Sequence, residues 1–476
     1  MRRFRGVAIP LLLLGACRSD PPSQPEPTVG THLFAHAYPG TTLGAKLNAA
    51  INALPPTGGI VDATDFTGPQ RIDQTVVLGA GGGKAVELRL GGATITSSVV
   101  PFKLGDGAKL IGNGNTIVTQ DAGANLEWLI TGTNISDCEI AGLTVDGNRQ
   151  GNTAAGSGIG LHTATRCWLH QLVVRNTVGR FHPGIAFFDD GNADNTVEQN
   201  LVQDIGTLAD YADGIYVAGP GNKVLFNRIR NATDFGIVGE SCVGCVIQGN
   251  DLVGVPAGIS VGSGIPNFNA AANIIDANVI TGGSTTTWGA ISIYRINGAP
   301  PVATLVRGNI IRDVEVGHGI FVTGAEQVSL ADNLISNIGL TTPSYGILII
   351  NSKDVGVSGG SIARTGTFGL GIGASTNVSV NDVRITDAGR SGNDAAGVGL
   401  DALSTHSSAI SLTQLHIFDT DTIAQLKKMA FCIDFGQGGT TSGVVLGGNL
   451  FDDGVNALGC RIGTVNLNNA TRVTRY

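Results

Sequence analysis

The sequence predicts an all-β fold: one parallel β-helix solenoid of about 12–14 rungs, closed at its N-terminal end by a short capping helix. Three observations predict it. Segments of the form Gly-Ile-x-apolar recur, as "GIGL" at Gly158, "GIAF" at Gly184, "GIYV" at Gly214, "GIVG" at Gly236, "GISV" at Gly258, "AISI" at Ala290, "GIFV" at Gly319, "GILI" at Gly346, "GLGI" at Gly369 and "GVGL" at Gly397. Each is followed, usually about 14 residues later, by an x-Asn-x-apolar element, with Asn200, Asn227, Asn250, Asn278, Asn309 and Asn333 as examples, so that the period runs roughly from 22 to 34 residues. Finally, glycine supplies 71 of the 476 residues and charged residues only 14%, a composition suited to a turn-rich β protein.

The elements follow in chain order. "MRRFRGVAIPLLLLGACRSD" places three arginines before a short apolar run, the layout of a signal peptide rather than of a transmembrane helix. "LGAC" resembles the lipobox of bacterial lipoproteins, which implies a signal over 1–16, with Leu14, Gly15 and Ala16 read by processing enzymes, and acylation of Cys17. On that resemblance the protein is exported and lipid-anchored in the cell envelope, and Arg18 after the cysteine favours the outer membrane where there are two. Residues 17–30 are a Pro-rich polar tether. "TTLGAKLNAAINAL" has the amphipathic spacing of a helix over about 42–54, placed to cover the open edge of the first rung.

From residue 31 to 476 the repeats argue for one solenoid, although length alone would suggest two or three domains. Rungs stack at about 4.8 Å, so like residues form files along the axis. Leu143, Leu172, Gly360, Val383 and Leu415 replace asparagine in other repeats, which makes that file an inward one. A net charge of −8 and the lack of a basic cluster give no signal for nucleic acid. Of the six cysteines after Cys17, Cys242 and Cys245 form a CxxC without a second pair, among strands rather than at a helix start, so structural thiols are expected there. Cys138 and Cys167 share one file, and Cys432 and Cys460 lie on adjacent coils, as disulfides or as buried thiols.

"AYPGTTLGAKLNAAINALPPTGGIVDA", "LIGNGNTIV" and "LTVDGNR" resemble the openings of the right-handed parallel β-helix proteins of the pectate lyase superfamily, a likeness that covers about residues 37–465. It implies a right-handed coil and a polysaccharide partner; because the repeat motifs are scaffold, it leaves activity open.

In Gly-Ile-x-Val, Ile and Val point inward, and x and the residue after Val point out. The outward surface then carries His162; His182 and Phe188; Tyr211, Asp213 and Tyr216; Asp234 and Glu240; Trp288, Tyr294 and Arg295; and His318. His182, Asp213 and Asp234 fall on consecutive rungs within one residue of the same register, an arrangement suited to general acid–base work. Elimination from a uronate is the favoured chemistry, with His182 or Tyr211 as base or acid, Arg295 neutralising the carboxylate, and Asp213, Asp234 and Glu240 as candidate ligands for Ca²⁺. His162, Tyr216, Glu240, Trp288, Tyr294 and His318 are expected to bind substrate. Hydrolysis and uronan epimerisation are alternatives on the same fold. "ADGI" resembles the Asp-Gly motif of polygalacturonases, but Phe235 stands where that family pairs aspartates, and "GHGIF" comes three rungs too late. A non-catalytic glycan-binding or adhesive solenoid is the competing class; ionisable groups gathered on a few rungs favour an enzyme.

Overall fold

The computed structural model describes residues 31–475, apart from 80–83, 155, 157, 180–181, 190, 264–269, 297–298, 392–394, 401–406, 420–428, 435–440, 443, 452–462 and 467–472. The segments expected to be a signal and a tether, with Cys17, lie outside the described residues. The chain winds as a parallel β-solenoid of about 13 turns with only 4% helix. Its strands form two sheets, one of 31 strands and one of 15, the latter extended by short strands such as Val76–Leu78 and Phe102–Leu104 at its start. The capping helix spans Leu43–Ala53; the Thr42 hydroxyl accepts the Ala45 N–H at 3.2 Å, and Leu43, Leu47, Ala50 and Ile51 are buried. It packs against the strands Gly68–Ile72 and Val76–Leu78.

In the 15-stranded sheet the recurring isoleucine forms an interior file: Ile159, Ile185, Ile215, Ile237, Ile259, Ile291, Ile320 and Ile347 pair rung to rung, all buried. Each contributes roughly 1.5–3 kcal/mol by leaving water. The preceding glycine is a steric requirement. A Cβ on Gly214 would sit 2.6 Å from the Gly236 carbonyl oxygen and 2.8 Å from Ile229 Cγ2.

The asparagines form the second interior file. The backbone N–H and Nδ2 of Asn200 both donate to Asn227 Oδ1 at 3.0 Å, and Asn227, Asn250, Asn278 and Asn309 repeat this toward the next asparagine, ending at Asn333. Each Nδ2 also donates to a carbonyl of the preceding rung, as Asn250 does to Val224 at 2.9 Å. The residue before each asparagine is left-handed: Gln199, Phe226, Ala277 and Asp332 have φ between 53° and 55°, and Gly249 and Gly308 take the same place. At the C-terminal end, Gly360 (φ 75°) follows Asn333, and a Cβ there would strike the Asn333 backbone.

Cys138 and Cys167 are buried free thiols on adjacent rungs, and Cys242 and Cys245 form a second buried pair; the thiols donate to backbone carbonyls, Cys138 to Gly105 at 3.1 Å and Cys245 to Gly219 at 3.3 Å, and burial beside a neighbouring thiol pushes Cys167 and Cys242 up. Cys432 is disulfide-bonded, and Cys460 lies outside the described residues.

Asn250→Ala would leave the Asn227 N–H and Nδ2 without their acceptor and deprive the Val224 carbonyl of its side-chain donor. Urea unfolding should show a loss of roughly 2–5 kcal/mol; an unchanged midpoint would mean that the ladder contributes nothing net.

Candidate functional site

The outer face of the 15-stranded sheet carries three files, defined by their offset from the interior isoleucine. Two residues before it stand Asp213, Phe235, Ala257, Gly289, His318, Tyr345 and Phe368. One residue after it stand Gly160, Ala186, Tyr216, Val238, Ser260, Ser292, Phe321, Leu348 and Gly371, and three after it His162, Phe188, Ala218, Glu240, Gly262, Tyr294 and Thr323.

Asp213 heads that first file. Its Oδ1 accepts the Phe235 N–H of the next rung at 3.1 Å, and Asp234 stands beside it. Protein packs closely around the carboxyl although part of its surface still reaches solvent. Loss of hydration, reinforced by the charge of Asp234, raises its pKa to about 8 against the pull of the Phe235 amide. Burial also raises Asp234. Neither aspartate has an ion pair among the described residues.

The expected grouping of His182 with these two carboxylates is not what the side chains form. His182 Nε2 meets Glu127 Oε1 at 3.2 Å and its ring stands edge-on to Trp128, with centroids 4.9 Å apart. His162 makes a parallel arrangement, Nδ1 to Asp189 at 3.0 Å and its ring stacked on Phe188 at 5.4 Å. The aromatic surface continues from Trp128 through Phe188 to Tyr216 and resumes with Phe235, Trp288 and Tyr294, at centroid spacings of 4.9 to 5.7 Å.

Glu240 corrects a second expectation. Assigned to the exposed surface, it is only 6% exposed, because Tyr294 reaches back over Gly262 and its hydroxyl donates to Glu240 Oε2 at 3.1 Å. Glu240 is therefore buried beneath the Tyr294 phenol rather than on the exposed surface. It lies on a different file from Asp213, and the three candidate calcium ligands do not converge: no group of three or more His, Cys, Asp or Glu side chains placed to hold a metal ion occurs among the described residues. Tyr216 and Tyr294 are raised by burial and by Glu240, so both remain proton donors at neutral pH. Arg295 is exposed beyond the third file, its stem against Gly324, three rungs from Asp213. Tyr211 is 55% exposed at the end of a tight turn bridged by Thr207 and Asp210. His318 sits among Phe321 and Tyr345, and burial lowers it to about 4. A separate depression of about 490 Å³ lies on the 31-stranded sheet, where its Asp121 and Asp146 are ion-paired to Arg71 and Arg175.

No family model matches the sequence, and no curated protein matches it. Solved structures do. The tailspike of E. coli bacteriophage HK620, in complex with a hexasaccharide, superposes with a TM-score of 0.52 at 13% identity over 92% of this chain and 77% of its own. The fold is that of the right-handed parallel β-helices. Tailspike protein 3 of bacteriophage CBA120 gives 0.45 at 12% identity over 94% of this chain, which spans 61% of that tailspike. The A-module of the Azotobacter vinelandii mannuronan C-5 epimerase AlgE6 gives 0.42 at 13% over 93% of this chain and 98% of its own. At these identities the likeness is one of fold.

Several residues of the β-helix face escaped the sequence: Glu127, Trp128, Phe235, Phe321 and Phe368. A signal existed, since glycines in outward files make room for neighbouring rings. A Cβ on Gly160 would overlap Trp128, one on Gly371 would lie 2.7 Å from Tyr345, and one on Gly399 would lie 2.9 Å from Phe368.

The raised Asp213 gives a pH signature. The folded protein holds a proton that the unfolded chain releases above about 3.8, so the stability linked to this proton is full below that value and is lost as pH rises through about 8. Asp213→Asn should therefore flatten the fall in thermal stability between about pH 4 and 8, as followed by circular dichroism; a fall of unchanged slope would place the Asp213 pKa near its ordinary value.

Proposed function

We propose that the protein is an exported polysaccharide-cleaving β-helix enzyme whose acid is Asp213, held in the envelope by lipid on Cys17. The observation that carries this reading is the pairing of a carboxyl raised to about 8 with a second carboxyl one rung on, at the head of an aromatic face. At neutral pH the first is protonated. A glycan lying along the face would have its glycosidic oxygen protonated by the Asp213 O–H as the C–O bond breaks. Water would add to the anomeric carbon and leave its proton on the Asp234 carboxylate. The partly exposed rings of Phe188, Tyr216 and Trp288 would carry sugar rings by stacking. The HK620 tailspike, alike in fold, holds a hexasaccharide, and the present reading takes a sugar chain as the ligand here as well.

Hydrolysis takes precedence over elimination because the group next to Asp213 is another carboxylate, whereas Arg295, the cation assigned to neutralise a uronate, lies three rungs away. Elimination retains one observation in its favour, the exposed phenol of Tyr211 two residues from Asp213, placed to act as a base.

Mass spectrometry of products from a panel of acidic and neutral polysaccharides separates the readings. Fragments that have gained water are expected, and Asp213→Asn should lower the rate by about 10²–10⁴-fold. Unsaturated fragments would establish elimination instead. Intact polymers with measurable binding would make the protein a glycan-binding solenoid.

A further inference from the structure

The first outward file does not end at the carboxylate pair. In straight register with Asp213 run Phe235, Ala257, Gly289, His318, Tyr345 and Phe368. The small residues Ala257 and Gly289 leave a break in the file, and Trp288 fills its side, 5.7 Å from Phe235 by ring centroids. Beyond the break a second aromatic cluster forms. Tyr345 stands 5.2 Å from His318 and 5.5 Å from Phe368, and Phe321 of the neighbouring file lies 5.5 Å from His318. Tyr345 and Phe368 each rest on a glycine of the next rung, Gly371 and Gly399, so these rings lie low on the sheet while keeping part of their surface in solvent.

His318 has a defined tautomer here. The Tyr345 N–H donates to its Nδ1 at 3.3 Å, which leaves that nitrogen without a proton and places the imidazole proton on Nε2. Buried among rings and neutral, it offers one N–H donor to a hydroxyl. From Phe235 to Phe368 the file contains no Asp, Glu, Lys or Arg. The matching chemistry is an uncharged sugar: an apolar ring face for stacking and hydroxyls for a single donor.

We infer that His318, Phe321, Tyr345 and Phe368 form a distal subsite for uncharged sugar residues of the same chain that is cut at Asp213, which makes the enzyme an endo-acting one that grips its polymer three to five rungs from the scissile bond. At the rung spacing of about 4.8 Å this grip lies roughly 14–24 Å beyond Asp234. The inference rests on the cleavage reading and adds to it a direction, a length and a substrate class. A uronate-rich chain would find no cation along this stretch of the file.

The test is an array of neutral and acidic oligosaccharides, from disaccharides to decasaccharides, applied to the full chain and to its Tyr345→Ala, Phe368→Ala and Phe368→Leu forms. Binding and cleavage are both read. Phe368→Leu preserves apolar volume while removing the ring face, so it remains informative if the alanine variants fold poorly. For the parent chain, affinity should climb with the length of neutral oligosaccharides. In the variants that gain with length should shrink by about tenfold, the loss of one stacked ring. Equal length dependence in parent and variants would overturn the distal subsite while leaving cleavage at Asp213 standing. Preference for acidic over neutral long chains would overturn the substrate class. No binding or cleavage of any oligosaccharide would overturn both the inference and the reading beneath it.

Discussion

The asparagine ladder is the interaction on which the rest of this molecule depends. A solenoid of short parallel strands has little to fix one coil over the next beyond backbone pairing, and a slip of one residue would turn each interior isoleucine outward. The buried amides prevent that slip. Each Asn Oδ1 takes two donors from the preceding asparagine, and each Nδ2 answers a carbonyl on the preceding rung, so displaced register would strand several polar groups away from water. The left-handed residue before each asparagine makes the corner that aims the amide inward. With register held in the 31-stranded sheet, side chains of the 15-stranded sheet line up as files, and a site spread over several rungs acquires fixed geometry.

That dependence explains what the sequence revealed. Asn200 through Asn333 and the Gly-Ile segments are interior features, set by packing and by backbone hydrogen bonds, and interior features repeat. Repetition exposes them to a reader of one chain. The capping helix was legible for a similar reason, since Leu43, Leu47, Ala50 and Ile51 show their buried face in their spacing. The outward files repeat nothing. Offset alone placed Asp213 and Asp234 together correctly, but offset does not say where a long side chain goes. His182 and Asp234 share a register, yet the imidazole turns to Glu127 and Trp128. Glu240 and Tyr294 were both placed at the surface, and the missing side chain of Gly262 between them lets one cover the other. Side-chain reach across a rung is governed by the vacancies left by glycines, and those become visible only when the files are laid side by side.

Elsewhere on the solenoid, carboxylates receive a cation from a neighbouring coil. Asp137 faces Arg166 and Asp146 faces Arg175, each at 2.7 Å, Asp276 faces Arg307 at 3.2 Å, and Asp251 is paired with Arg230. Other carboxylates take a neutral donor from the next coil, as Asp204 does from Asn231 at 3.0 Å and Asp313 from Asn337 at 2.8 Å. Like charges in register lie close together, and the repulsion is relieved by an opposite charge or by a proton. Asp213 takes the proton. Its neighbour is Asp234, and its one hydrogen-bond donor shown is a backbone amide.

An arginine one coil away is a solution this same chain uses at Asp137, Asp146 and Asp276, and Asp213 does without it. On the cleavage proposed above the neutral carboxyl is the acid; an asparagine would make the same hydrogen bond without electrostatic cost. What an aspartate at about 8 offers and an asparagine does not is a proton that can leave. Phe235, in line with Asp213 on the next rung, supplies the backbone N–H that Asp213 Oδ1 accepts, while its ring meets Trp288.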